Sequence, residues 1–398
     1  MPRFSPFRGL RYDPGVIALA QAIAPPYDVI EPAERVRLAS RSSYNSVHLE
    51  LPEPDLRAGL DRYQVAARLL AAWRNDGVLQ LEDQPSYYLY RMTTPEGRST
   101  LGVIGALGLP EPGEEDQILP HEETLPKPRS DRLDLLNATR ANLSPIWGLS
   151  LTEGLSSFLE PEGNAEIDVH DDDGVRHELW VVSDARGEEI TDAVGAAPVV
   201  IADGHHRYET ARAYQRQIRS ERGEGRGGHD WVMAMVVELS ADQLAVRPIH
   251  RVVAGLAPGT DLVGAFGKWF DVVRAGDGSD RVASALGEAS SLAVITNEDA
   301  WMLTPRPRAY EVADSDLDSS LVALALQELG DAQTNHRHSW QEAMESVRKG
   351  DAQAAVLLRP VTVDQIFEWA HERRRMPPKT TYFNPKPRTG MVIRSLDD

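Results

Sequence analysis

Residues 198–218 read PVVIADGHHRYETARAYQRQI, and the periodicity changes in the middle. PVVIADG is a short β-branched apolar run ending in Asp-Gly, which predicts a buried strand followed by a turn. From residue 205 onward Tyr208, Ala211, Tyr214 and Ile218 recur at helical spacing, so a helix with one apolar stripe follows. Asp203, Gly204, His205 and His206 therefore stand at a strand-to-helix junction. The first amides of a helix have no partner within it and carry partial positive charge, so an anion fits there. Gly204 lets the oxygens of that anion approach the backbone. His206 and Arg207 add side-chain donors, and Arg207 has the fork that suits phosphate. Adjacent helical residues point about 100° apart, so His205 and His206 read as two donors with separate tasks rather than joint ligands of one metal.

A second constellation is LPHEETLPKPRSDR, residues 119–132. His121, Glu122, Glu123, Lys127, Arg129 and Arg132 crowd into a loop with three prolines, which reduce what is lost on ordering it. Carboxylates beside a histidine supply a general base or hold Mg²⁺ through oxygen. TRANLSPIWG offers Arg140, Asn142 and Ser144, IAPPYDVI offers Tyr27 and Asp28, and YFNPKPRTG offers Lys386 and Arg388 in a stiff basic loop. Each of these also has a plain reading as a turn or a solvated surface.

Around these motifs the chain reads as α+β, with a mixed β-sheet and packed helices, in three regions: 1–110, 111–255 and 256–398. The first holds a helix over 61–77, with Tyr63, Ala66, Leu70 and Trp73 on one face, and a hairpin of SYYLYRM and TLGVIGALGL. In the second, SPIWGLSL, ELWVVSD and WVMAMVVEL predict further strands, and EGNAEIDVHDDDGV a solvated turn. The third carries strands at SLAVIT, RAYEVAD and AAVLLRPV and helices at SLVALALQELG, SWQEAMESVRKG and DQIFEWAHERRRM. It closes with MVIRS, a tail strand returning to the body.

The 398 residues are 41% hydrophobic and 26% charged, an ordinary globular composition long enough for two or three cores. A formal net charge of -19 argues against binding a nucleic-acid backbone. With no cysteine there is no disulfide, thiolate zinc site or cysteine nucleophile. No apolar run is long enough to span a bilayer and MPRFSPFRGL lacks the apolar stretch of a signal peptide, so a cytoplasmic protein without membrane contact is the expectation. The Walker-type loop, the dinucleotide-binding glycine fingerprint, the Gly-x-Ser-x-Gly elbow and the His-Glu-x-x-His zinc motif do not occur, so a bound nucleotide would use none of the common loops.

PFRGLRY, APPYDVI, LPHEETLPKPRSDRL, TRANLSPIWGL, IADGHHRYETA and PKPRTGMVIRSLDD together resemble a bacterial and archaeal family of unknown function, over essentially the whole chain. The Asp-Gly-His-His-Arg motif also resembles that of free serine kinases, which are related to the ParB partition proteins and share a fold with sulfiredoxin. This resemblance implies a ParB/sulfiredoxin-like core over 111–255 with N- and C-terminal α+β additions, and nucleotide phosphates bound at the Gly204 turn. The missing cysteine excludes sulfinic acid repair, and the acidic charge speaks against a partition role.

The resulting expectation is a small-molecule kinase using ATP or ADP and Mg²⁺, with the hydroxyl of free L-serine as acceptor. In it Gly204, His205, His206, Arg207, Lys127 and Arg132 bind the nucleotide, and Asp203 and Glu122 hold the metal. Glu122 or Glu123 takes the hydroxyl proton, with His121, His206 and Asp203 completing the catalytic group. Arg140, Asn142 and Ser144 meet the substrate. The alternatives are a nucleotide-binding regulator without turnover and, more distantly, a hydrolase with a histidine nucleophile.

Overall fold

A computed structural model describes residues 1–122, 130–183, 186–223, 225–257 and 259–397. The chain divides into two compact units, Met1–Leu244 with Pro385–Asp398, and Ala245–Asn384.

The first unit is built on a mixed sheet. Its strands run in the order Ile118–Pro120, Val199–Asp203, Ile146–Ser150, Trp231–Glu238, Ser99–Gly108, Tyr87–Thr93, Arg176–Val182 and Ile167–His170. Phe4–Ser5 also pairs with Ser99–Gly108. Two pairings are parallel, Ile118–Pro120 with Val199–Asp203 and Ile146–Ser150 with Trp231–Glu238. On one face of the central strands Tyr87, Leu89, Val103, Ile146, Val199, Ile201 and Val236 enter one buried cluster, and Tyr88, Tyr90, Ile104, Val200 and Met235 are buried on the other. The helix His205–Arg222 joins this core through Tyr208 and Ala211. Its next turns, at Tyr214 and Ile218, pack on Leu136 of the helix Ser130–Thr139 and on Leu396. All four stripe positions are buried, as their spacing predicts, and a large apolar side chain contributes about 1.5–3 kcal/mol on burial.

A smaller antiparallel sheet orders Leu79–Leu81, Gly9–Tyr12, Ile393–Ser395 and Ala141–Asn142. Residues 1–110 and the middle of the chain thus alternate within shared sheets, with no break at residue 110, because strand pairing follows burial rather than sequence order. The helix Arg62–Asn75 packs on this sheet through Ala66, Leu70 and Trp73. Asp61 and Gln64 close its N-terminus reciprocally as a capping box.

The second unit holds an antiparallel sheet in the order Phe270–Asp277, Asp299–Pro305, Ala293–Ile295, Ala354–Leu357, His250–Ala254 and Gln333–Arg337. Helices cover both faces, giving separate clusters around Phe266, Leu321 and Val322 and around Ala283, Met344 and Val347. Two local readings change. RAYEVAD lies in a helix, Pro307–Ala313, where Pro307 at the first turn presets the backbone. The stretch 162–175 contains the edge strand Ile167–His170, in which half-buried Ile167 and Val169 alternate with exposed Asp168 and His170. The α+β class with a mixed sheet and packed helices is the one the sequence implies. Among the described residues no helix is long and apolar enough to cross a membrane.

Candidate functional site

The strand Val199–Asp203 leaves the core at a register shift between Ile201 and Asp203. Such a bulge re-aims the following side chain, here the carboxylate of Asp203. Gly204 then adopts φ 84° and ψ 25°, a left-handed conformation that glycine takes without strain, and the 18-residue helix begins at His205. A Cβ at Gly204 would lie 3.0–3.1 Å from the Arg207 guanidinium, so Arg207 folds back across the turn.

Asp203 is held from both sides. Arg207 Nη2 donates to its Oδ2 at 2.9 Å and Lys386 Nζ to its Oδ1 at 2.5 Å. Lys386 also stands 3.6 Å from Asp28. Arg207 Nη1 donates to Ser144 Oγ at 3.2 Å and to the carbonyl of Pro145. Burial alone would lower the Arg207 pKa, but Asp203, Asp28, Tyr27 and Glu50 together raise it. Lys386 behaves likewise, with burial outweighed by Asp203 and Asp28. Both cations are therefore firmly charged. One expectation changes as a result: the guanidinium of Arg207 ties the turn to residues 144–145 instead of projecting its fork outward for phosphate. The carboxylate of Asp203 carries a cation on each oxygen and so organises the turn.

Parallel pairing of Ile118–Pro120 with Val199–Asp203 delivers His121, the next residue of the 119–132 segment, to the same turn. His121 is buried, and its Nδ1 contacts the carbonyl oxygen of Ile201. A carbonyl only accepts, so Nδ1 carries the proton. Burial lowers the His121 pKa despite Glu122, the Ile201 contact and Asp203, which favours the neutral ring. Its Nε2 then presents a lone pair toward Glu122 Oε2, 3.9 Å away. The rings of His121 and His205 are 5.1 Å apart. His205 and His206 are each half-buried on the first helical turn, neither sunk in apolar core nor fully in solvent. Glu123, Lys127 and Arg129 lie outside the described residues.

Behind Arg207 is a cleft of about 60 Å³, whose lining includes Tyr27, Glu50, Arg132, Ser144 and Thr210. Arg132 donates from Nη1 to the Glu50 carbonyl at 2.8 Å and to Glu50 Oε2 at 3.2 Å. Its Nε donates to Asp131 Oδ2 at 2.9 Å, and its guanidinium lies 4.4 Å over the Tyr27 ring. Burial pushes the Tyr27 pKa up to about 12, so the phenol stays neutral. Ser144 and Asn142 both line this cleft. Asn142 Oδ1 is already committed, accepting from Met233 N at 3.0 Å and Arg394 Nη1 at 3.1 Å. Arg140 is not part of the cleft lining. It takes φ 49° after the Ser130–Thr139 helix and pairs with Asp397 at the surface.

Lys386 is held in place by its neighbours. Arg388 pairs with Asp171, whose Oδ2 also contacts His177 Nε2 at 2.8 Å, and His177 Nδ1 meets Tyr90 OH at 2.7 Å. The Tyr90 hydroxyl in turn accepts from Arg388 N at 3.2 Å. Burial would raise the Asp171 pKa, but His177 and Arg388 hold its carboxyl far below the usual range. The signal for Lys386 was its basic loop fixed between prolines. Glu50 gave none, since NSVHLELPEP has no motif character.

Residues 4–328 match the family described as "Protein of unknown function (DUF1015)". The chain belongs to the DUF1015 family. No curated protein matches it. Solved structures similar to this DUF1015 chain include a free serine kinase in complex with AMP, at 15% identity over 74% of this chain and 91% of that one, with a TM-score of 0.38. A mutant free serine kinase in complex with ADP is similar at 13% identity over 74% of this chain and 92% of that one, with a TM-score of 0.39. C-terminally truncated SbnI from Staphylococcus aureus is similar at 13% identity over 72% of this chain and 84% of that one, with a TM-score of 0.37.

Proposed function

We propose that the protein is a nucleotide-dependent small-molecule kinase, with ATP or ADP as donor and free L-serine as the first acceptor to test. The observation that carries this reading is the convergence on one turn of a glycine-capped helix N-terminus, the charged Lys386 and the Glu122 carboxylate beside buried His121. The resemblance of the Asp-Gly-His-His-Arg motif to free serine kinases supports it from the sequence side.

In this reading the donor phosphates lie on the amides after Gly204, with His206 and Lys386 offsetting their charge. Asp203 and Arg207 keep the turn and the 144–145 segment in register. Glu122 receives the proton of the acceptor hydroxyl as its oxygen bonds to the terminal phosphorus. The phosphorus–oxygen bond to the donor breaks, and the departing ADP or AMP keeps the electron pair. Among the described residues no group of three or more His, Asp or Glu is arranged to hold a metal. Glu122 would help to hold Mg²⁺ carried by the donor phosphates, and the ion would neutralise charge on the phosphate oxygens.

The test is nucleotide turnover by purified protein with Mg²⁺ and a panel of hydroxyl amino acids, reading ADP or AMP release and phosphoserine. Glu122→Gln is expected to leave nucleotide affinity measured without Mg²⁺ nearly intact and to lower kcat by roughly 10²–10⁴-fold. Tight nucleotide binding without turnover on any acceptor would favour the regulatory reading. Absence of nucleotide binding would sink both.

A further inference from the structure

The second unit gathers positive charge at one end of its sheet, although the whole chain has a formal net charge of -19. The strand His250–Ala254 pairs antiparallel with the edge strand Gln333–Arg337, and two successive rungs set His250 against Arg337 and Arg251 against His336. Side chains on one rung share a face, and like charges placed so are destabilising. The chain runs on through His338, whose ring lies 4.2 Å from that of Tyr382. Lys379 arrives from another segment, and its carbonyl accepts from Arg251 Nη2 at 2.9 Å. Burial, with Arg251, Lys379, His338 and Arg337 adding, lowers the His336 pKa to about 4. The four charges that act on this ring thus share one sign. Glu342, on the next helix, serves the backbone: its Oε2 accepts from His338 N at 3.1 Å.

Charges on an edge strand have a plain use, since they deter pairing with another chain. That does not account for Arg251, which is 6% exposed and sits on an inner strand, paired on its other side with Ala354–Leu357. His336 is half-buried and His338 and Lys379 are exposed, so solvent reaches the group. Lys379 also takes φ 60°, a left-handed conformation that residues with a Cβ rarely adopt and that recurs at ligand sites.

We propose that this end of the sheet binds the phosphate group of a small molecule, with the imidazoles of His336 and His338 and the ammonium of Lys379 donating to its oxygens and Arg251 supplying charge from the inner strand. Donors from separate chain segments suit a phosphate, which has acceptor oxygens on several sides, better than a flat carboxylate. The site lies wholly within the second unit and does not depend on the kinase reading.

The test is NMR on the full chain with labelled histidine, its ring signals assigned from His336→Gln and His338→Gln, as inorganic phosphate replaces chloride at neutral pH and fixed ionic strength. The His336 and His338 signals are expected to shift and saturate. Lys379→Asn removes the charge and keeps a residue that accepts a left-handed backbone, and it is expected to weaken phosphate binding roughly three- to tenfold. Arg281→Gln, which removes an exposed cation from the helix Asp280–Glu288 of the same unit, is expected to leave binding unchanged. AMP and O-phospho-L-serine are the further probes. One that binds tighter than inorganic phosphate names what the phosphate carries, and equal binding of all three upholds phosphate itself as the ligand. No saturable shift at His336 and His338, binding that Lys379→Asn leaves unchanged, or equal losses from Lys379→Asn and Arg281→Gln would overturn the site even if nucleotide turnover were found. Saturation that follows Lys379→Asn alone upholds it whether or not any acceptor is phosphorylated.

Discussion

Lys386 and Asp203 are 183 residues apart in sequence and 2.5 Å apart in space, and the site depends on that contact. Lys386→Met keeps the aliphatic length and removes the charge. The side chains are 10% and 18% exposed, so the pair is mostly out of water. An exposed ion pair contributes about 0–1 kcal/mol, whereas removing one partner of a fully buried pair costs about 3–5 kcal/mol. Asp203 would still keep Arg207 at 2.9 Å, so its charge is not left alone. The expected loss for Lys386→Met is therefore intermediate, about 2–3 kcal/mol, and Asp203→Asn should cost a similar ~2 kcal/mol. In the double variant the losses should not add, giving a coupling of about 1.5–3 kcal/mol. The assay is urea unfolding followed by tryptophan fluorescence, reading the transition of the first unit and requiring equal slopes among the four proteins. A coupling below about 0.5 kcal/mol would mean that the two side chains behave as a surface pair, and the account of the site as a charge-locked turn would fail. Nucleotide calorimetry on Lys386→Met adds an independent arm. A weaker affinity is expected, and an unchanged one would restrict Lys386 to a structural role.

Two further outcomes are expected. Gly204→Ala forces an L-residue into the left-handed region, which costs about 1–2 kcal/mol, and its Cβ displaces the Arg207 guanidinium; urea midpoints and nucleotide affinity should both fall, and a stabilised variant would contradict the turn geometry. In the second unit His250 accepts from Leu358 N at 3.1 Å, and burial, with Arg251 and His338 adding, lowers its pKa from 6.5 to about 4. Above pH 6.5 the ring is neutral folded or unfolded; as pH falls toward about 4 the unfolded chain takes a proton that the folded one refuses, so stability drops by up to ~1.4 kcal/mol per pH unit across that window and levels off below it. Urea midpoints against pH should show this fall, and His250→Gln should lessen it, leaving the share of His336, whose burial also lowers its pKa to about 4.

Much of this was legible locally. The strand, turn and helix at 198–218 follow from a period of two giving way to one of 3.6, with a glycine at the junction, and each of those signals acts over a few residues. The 119–132 segment was singled out by its density of charge among prolines, and strand pairing then brought its described end to the turn. Arg207 shows the limit. Its residue type suits phosphate, but the direction of a guanidinium is set by acceptors elsewhere in the chain, here Ser144 and Pro145. Arg140 shows it too, since its partner Asp397 is 257 residues away.

The sequence by itself determined the α+β class, the helix stripe Tyr208-Ala211-Tyr214-Ile218 and the place of the glycine turn before that helix. These depend on local sterics and on the spacing of apolar side chains, which any window of the chain displays. Tertiary structure alone decided that Lys386 locks Asp203, that Arg207 faces inward and that buried Glu50 holds Arg132. Those facts depend on which distant groups share a low-dielectric space. Burial multiplies the strength of each such pairing and the cost of leaving it unmade, and neither quantity is written in the order of residues.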